Sequence, residues 1–330
     1  RAIHYYSLIN VSVLIADSSE EPYKEKLPNN FDYLHLPSSF FGDKIYSALC
    51  NIKTPFTCFC ADDDFLTENG LNHGLQFLEN HSDYVSVQGQ CIQFDSSNLE
   101  SIEPMYIDCI NYKNDSNDIL ERMKNCFNAP HIFALHRTID LKNCLEITLG
   151  ISDVSVVEMC VPLVSLCVGK TKVLPIFWQA RDRMRYSKYI DQEGNDYTLN
   201  EDSTSNELFS NVVTDWSIYL NSNEGIKFKA NFLSKASTLI NDSINANDLF
   251  NLAFDMHIKN LKNDPSLQSF NERMRKITKE LLPKIIVKKI QEKNIEKFLK
   301  LHAKSGFPWN DIAAKNDWKI MKKSIIKFSH

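Results

Sequence analysis

Asp62, Asp63 and Asp64 stand together in the stretch Pro55 to Leu66, PFTCFCADDDFL. Three adjacent carboxylates repel one another, and a hard divalent cation bound through oxygen relieves that repulsion. In an extended or turn conformation Asp62 and Asp64 share one side while Asp63 points away. Asp62 and Asp64 could then hold one Mn²⁺ or Mg²⁺ ion together with a diphosphate. The plainer alternative is a polar loop in which Asp64 caps the helix beginning near Leu66. Phe56 to Ala61, just ahead, is a short apolar run with aromatic and β-branched members and reads as a buried strand. The acids therefore lie at a strand end.

Other reactive side chains lie at similar places. Val11 to Ala16 reads as a buried strand of parallel type, and Asp17, Ser18 and Ser19 follow it. Ligands of open α/β sheets bind beyond the carboxyl ends of strands, where an Asp can accept hydrogen bonds from a base or ribose. A simple Asx or Ser turn is the alternative. Lys44 falls in the first turn of a helix over Phe41 to Ile52. A cation there opposes the helix dipole, so a phosphate or carboxylate partner competes with the reading of a solvated lysine. His131 to His136, HIFALH, reads as a strand ending in His136-Arg137. His136 there could complete a metal shell, and Arg137 could hold diphosphate.

Ser152 to Val168 is a strong helix, capped by Ser152 or Asp153 and closed by Gly169. Its faces are largely apolar, so Asp153 and Glu158 are carboxylates that a core helix must justify. Thr171 to Trp178 is a strand, followed by Gln179, Arg181, Asp182, Arg183 and Arg185. Trp178 suits either a sugar face or the core.

The elements that must position these groups alternate between strand and helix. Ala2 to Leu8 reads as a helix and Phe31 to Leu36 as a strand. Gly70 to Asn80 is an amphipathic helix. Tyr84 to Phe94 is a strand in which Gly89 marks a bulge or a close approach. Asp95 to Asp118 is polar and reads as a variable loop over the site. Ile119 to Cys126 and Leu141 to Leu145 read as short helices. Beyond Tyr189 the chain becomes polar over Gln192 to Asn206. Helical spacing then runs over Glu207 to Leu220, Phe228 to Ile240, Asn245 to Leu261, Pro265 to Ile290 and Glu292 to Lys304.

The 330 residues allow one large domain or two ordinary ones. No apolar run approaches the ~18 residues of a membrane span, and the start does not read as a signal peptide. The nine cysteines lie between Cys50 and Cys167 with no CxxC pair, so a zinc site is not expected. An odd number in apolar settings fits reduced thiols in a cytoplasmic protein. The net charge is −5, yet from Arg273 onward about 16 basic residues face about 5 acidic ones. That asymmetry suggests an anionic partner for the tail, such as the inner face of an anionic membrane; the plainer alternative is a helical bundle packed on the first domain with a solvated basic outer face.

Three stretches, taken in order, resemble the GT-A glycosyltransferases, in particular family-2-like enzymes of bacterial surface-polysaccharide pathways. They are VSVLIADSSEEPY (Val11 to Tyr23), FFGDKIYSALCNIKTPFTCFCADDDFL (Phe40 to Leu66) and SDVSVVEMCVPLVSLCVGKTKVLPIFWQARD (Ser152 to Asp182). The resemblance implies an α/β, Rossmann-like mixed sheet flanked by helices over 1–190 and an all-α extension over 191–330. It implies a buried strand beside Val11 to Ala16, supplied ahead of Arg1 or by another segment. It also implies a nucleotide-diphosphate sugar as donor, UDP-sugars among the candidates, and a glycan or lipid-linked acceptor, with no nucleic acid. Asp17, Ser18, Ser19, Lys44, Asp62, Asp63 and Arg181 would then contact the donor, and Asp62, Asp64 and His136 the metal. An inverting transfer needs one base to deprotonate the acceptor, with Asp153 first and Glu158 second. Ser152 stands where the family often has Glu.

A nucleotidyltransferase shares the α/β layout and acidic ligands, but would favour a Gly-rich signature by the first strand. A non-catalytic sugar-binding or scaffold protein on the same fold is the third class.

Overall fold

The computed structural model describes residues 1–94, 96, 102, 104–108, 114–127, 131–182, 189–190, 196–197, 216–240, 244–263 and 311–327. The architecture is mixed α/β, a sheet flanked by helices. The main sheet runs in the order β3 (Phe56–Cys58), β7 (Leu135–Arg137), β5 (Tyr84–Phe94), β8 (Lys170–Asp182), β4 (Phe65–Leu66), with β6 (Pro104–Asp108) also paired to β5. β5 and β8 are parallel, and the other pairs are antiparallel. β1 (Val13–Asp17) and β2 (Phe31–His35) form a separate parallel pair. All five residues of β1 are half-buried. The further strand expected beside Val11 to Ala16 is not among the described residues.

β5 is the centre of the sheet, and every residue after Tyr84 is buried. Gly89 is the bulge that the sequence marks. The pairing of β5 with β8 shifts between Gln88 and Gln90, and a Cβ at Gly89 would lie 2.6 Å from the Ile176 carbonyl oxygen. Only glycine admits that approach.

The helices are α1 (Ala2–Tyr6), α2 (Phe41–Asn51), α3 (Glu68–Asn80), α4 (Ile119–Met123), α5 (Thr138–Glu146), α6 (Val154–Val168), α7 (Asn223–Leu239), α8 (Ala246–Asn263) and α9 (Asp311–Lys327). They divide between two apolar cores. Tyr5 and Tyr6 of α1, Leu71 and Leu78 of α3, and Trp318 and Met321 of α9 join strand residues such as Val87, Ile92 and Phe177. Ile45 of α2, Leu141 of α5, Phe228 and Phe232 of α7, and Phe250 and Phe254 of α8 surround α6 in the other core. α6 also lies against β5 and β8. Among the described residues it is the most deeply buried helix, as its nearly continuous apolar sequence requires.

Several boundaries differ from the sequence reading. His131–Phe133 is a 3₁₀ turn, and the strand begins only at Leu135. β4 and β6 are additions, and β6 lies inside the polar stretch read as a loop. Gly169 ends α6 in an extended conformation rather than a left-handed one. A Cβ at Gly169 would lie 2.5 Å from Val85 Cγ1, so a larger residue there would make the Val85 side chain shift.

Arg183, Arg185, most of Gln192 to Asn206, and the tail helices over Pro265 to Ile290 and Glu292 to Lys304 lie outside the described residues. Among the described residues no helix is long and apolar enough to cross a membrane.

Candidate functional site

The acidic stretch forms a tight turn after β3, closed by the Asp64 N–H donating to the Ala61 carbonyl (3.2 Å). Phe65 and Leu66 must enter the core as β4, where they pair with Ala180 and Gln179. That pairing draws Asp64 inward with them. Asp62 and Asp63 stay in solvent, while Asp64 is 2% exposed. The expected same-side pair of Asp62 and Asp64 therefore does not form. Asp64 Oδ2 instead accepts a hydrogen bond from Gln179 Nε2 (2.8 Å) and lies 3.2 Å from Arg181 Nε. Burial pushes the Asp64 carboxyl up to about 7, outweighing the opposite pull of Arg181. The Arg181 guanidinium also lies over the Phe133 ring, 4.9 Å from its centre. Nor does Asp64 cap the following helix. Thr67 does, its Oγ1 accepting from the Gly70 N–H (2.9 Å).

Three side chains expected near a ligand have structural duties. His136 sits in β7 between Thr57 and Ser86, fully buried, with Nε2 2.8 Å from the His131 carbonyl oxygen. Burial lowers its ring to about 4, so it is neutral and holds the 3₁₀ turn onto the strand. It does not join the aspartates. Among the described residues no group of three or more His, Cys, Asp or Glu side chains is placed to hold a metal ion. Arg137 donates to the carbonyls of Leu78, Tyr84 and His81. Trp178 is buried, its indole N–H donating to the Phe133 carbonyl.

A second group of side chains gathers where β1 ends. Asp17 accepts from the Tyr33 hydroxyl (2.6 Å) and the Ser19 N–H (2.9 Å), and these bonds hold its carboxyl at about 2. Lys44 Nζ donates to Ser18 Oγ (2.9 Å). Around this pair lies a cavity of about 440 Å³, whose other walls are Ser38, Ser39, Phe40, Phe41 and Val154. Ser38 has φ of +58°, a left-handed conformation uncommon outside glycine. Such strain concentrates at ligand sites. The sequence reading missed Ser38 and its neighbours, although Pro37-Ser38-Ser39 between a strand and a helix is a turn signal.

α6 joins the two groups. Asp153 is its N-cap, with Oδ1 accepting from the Ser155 N–H (2.8 Å) and more weakly from the Val156 N–H (3.4 Å). The next residue, Val154, lines the cavity. Glu158 follows about one and a half turns along the helix. It is half-buried and its pKa is raised by that burial, while the charge of Arg181 acts on it in the opposite direction. α6 thus runs from the Ser18–Lys44 cavity, which Val154 lines, to Glu158, on which the Arg181 charge acts.

No protein-family model matches the chain, and no curated protein is similar to it. Among solved structures it is similar to S. aureus TarS 1-349, with a TM-score of 0.42 and 12% identity over 78% of this chain and 84% of that one. The same protein in complex with UDP-GlcNAc gives a TM-score of 0.40, with the same identity and shares. At these scores the likeness assigns no residue and no reaction.

Proposed function

We propose that this chain is a glycosyltransferase that moves a sugar from a nucleotide-diphosphate sugar to a glycan or lipid-linked acceptor. The transfer proceeds with inversion, in the synthesis of a bacterial surface polysaccharide. The observation that supports this reading is the first part of α6. It carries Asp153 beside the Ser18–Lys44 cavity and Glu158 beside the Arg181–Asp64 pair. The order of the residues and the resemblance to GT-A enzymes then assign their roles.

Asp17, Ser18, Ser19 and Lys44 bind the nucleotide end of the donor. Arg181, beside Asp64, is the cation on the diphosphate side of the donor. Asp153 is the base. Both of its capping bonds go to Oδ1, which leaves Oδ2 to take the acceptor's proton as the hydroxyl attacks the anomeric carbon. Mg²⁺ and Mn²⁺ keep several waters and need only one or two carboxylates beside substrate phosphates. The exposed Asp62 and Asp63 suit that donor set, whereas Asp64 and His136 do not. Held there, the ion would neutralise charge on the leaving diphosphate.

The acceptor side of the same reading places the protein in the cytoplasm, in peripheral contact with an anionic membrane. On α9, Lys319, Lys323 and Lys327 are exposed, and each lysine near such a surface contributes about 1 kcal/mol. Sedimentation with anionic and neutral vesicles at low and high salt checks this contact.

A panel of nucleotide sugars that includes UDP-GlcNAc, with Mn²⁺ or Mg²⁺, tests the activity. Release or transfer of the sugar supports it. Formation of pyrophosphate would make the protein a nucleotidyltransferase, and binding without turnover a non-catalytic sugar-binding protein.

A further inference from the structure

The connection from α5 to α6, residues 147–153, ends on Asp153, and side chains of two other helices hold its main chain. On α7, Glu224, Lys227, Asn231 and Lys235 stand three, four and four residues apart and form one stripe. Glu224 Oε2 accepts from the Ser152 N–H (3.2 Å), Lys227 Nζ donates to the Gly150 carbonyl, and Asn231 Nδ2 donates to the Ile147 carbonyl (2.9 Å). Lys235 pairs with Glu146 at the end of α5. From the other side, Asp43 of α2 accepts from the Gly150 N–H (2.7 Å). Gly150 serves both helices because its φ is +71°, a left-handed conformation that glycine takes without strain. The neighbouring stripe of α7 is itself anchored, with Phe228 and Phe232 buried against Phe250. Ile147 and Ile151 are buried and already tie the connection to the core. The polar bonds add control of its direction. Ser152 immediately precedes Asp153, and a peptide plane is rigid. The Glu224 bond therefore fixes the plane ahead of Ser152, while the capping bonds to Ser155 and Val156 hold the Asp153 carboxylate from the far side.

We propose that Glu224, Lys227 and Asn231 are positioning residues, which through the 147–152 main chain aim the Asp153 carboxylate at the acceptor hydroxyl. This role rests on the transferase reading with Asp153 as its base. Glu224 carries most of it, because its bond lies one residue from the base. A displacement of about 1 Å at a reacting group can cost about 100-fold in rate, so a side chain that never touches substrate can still govern turnover.

Steady-state kinetics of the full chain, with UDP-GlcNAc or whichever donor of the panel turns over, test it beside thermal melts. Glu224→Ala should lower kcat about tenfold or more, with KM for the donor and the melting temperature little changed. Glu224→Gln, whose amide oxygen can still accept from the Ser152 N–H, should recover most of that rate. Lys227→Met and Asn231→Ala act further from the base and should cost less. In an Asp153→Asn background Glu224→Ala should cost nothing more, because no base is left to aim. Glu224→Ala as fast as wild type, a loss confined to KM, or full additivity with Asp153→Asn would overturn the positioning role. So would losses of kcat that only follow the melting temperature, with no recovery in Glu224→Gln. In each of these cases the wild type still transfers sugar, so the transferase reading stands. Wild-type protein that transfers no sugar from any donor would instead remove that reading, and the positioning role with it.

Discussion

Arg181 Nε lies 3.2 Å from Asp64 Oδ2, so the innermost carboxylate of the acidic turn is held by the protein's own cation. Gln179 supplies the second contact at 2.8 Å, and Asp64 is almost wholly buried. Asp64 is thereby a support for Arg181 and for the turn that presents Asp62 and Asp63. Two substitutions should separate these duties. Arg181→Ala leaves a buried carboxylate without its cation and should destabilise the fold by about 1–3 kcal/mol. Asp64→Asn retains the shape and a bond to Gln179 and should destabilise less. Denaturant melts of both variants and of the double variant give the coupling energy. Independent, additive effects would show that the pair is not a unit.

For the acidic turn itself, activity rather than stability is the readout. Asp62 and Asp63 are exposed, so Asp62→Asn and Asp63→Asn should melt like wild type. At least one should lose the stimulation by Mn²⁺ or Mg²⁺, and the loss should shrink as metal is raised. Chelation should abolish turnover of the wild type. Full transfer in excess chelator would remove the metal from the reaction.

Asp153→Asn keeps an N-cap, since Asn and Asp cap about equally well, but it cannot accept a proton. The expected result is a loss in kcat of about 100-fold or more, with KM for the donor and thermal stability little changed. Glu158→Gln serves as the comparison. If that variant is inactive and Asp153→Asn is not, the base lies deeper along α6, next to Arg181.

These sites were unequally legible in the sequence. α6 was plain, because an apolar run opened by Ser152-Asp153 and closed by a glycine carries its own boundaries. The gathering of Asp17 and Ser18 at a strand end was equally local. The direction of Asp64 was not local, because it follows from the pairing of Phe65 with Ala180, and its partner Gln179 stands 115 residues away. The cap of α3 was misplaced for the same reason, since β4 delays the helix until Thr67. His136 was misread because a histidine at a strand end looks the same whether it faces a cleft or closes a buried turn. Only the strands on either side, β3 and β5, decide that it is enclosed.

The docking of α9 should depend on pH through Asp317. This residue is 8% exposed, and its Oδ2 has no hydrogen-bond partner among the described residues. Burial, reinforced by the charge of Glu68, raises its carboxyl from 3.8 to about 7. The raised value means that the folded protein binds this proton more tightly than the unfolded chain does. The contribution of Asp317 to stability is therefore fully present below about 4 and is lost as pH rises through about 7. Asp317→Asn removes the ionisation while keeping the shape. It should raise the melting temperature by a few degrees at pH 8 and leave it nearly unchanged at pH 4. Melts across that range for the two proteins give the comparison directly. Parallel curves, with the same gap at both ends, would mean that Asp317 does not titrate in the folded protein and that α9 is held independently of it.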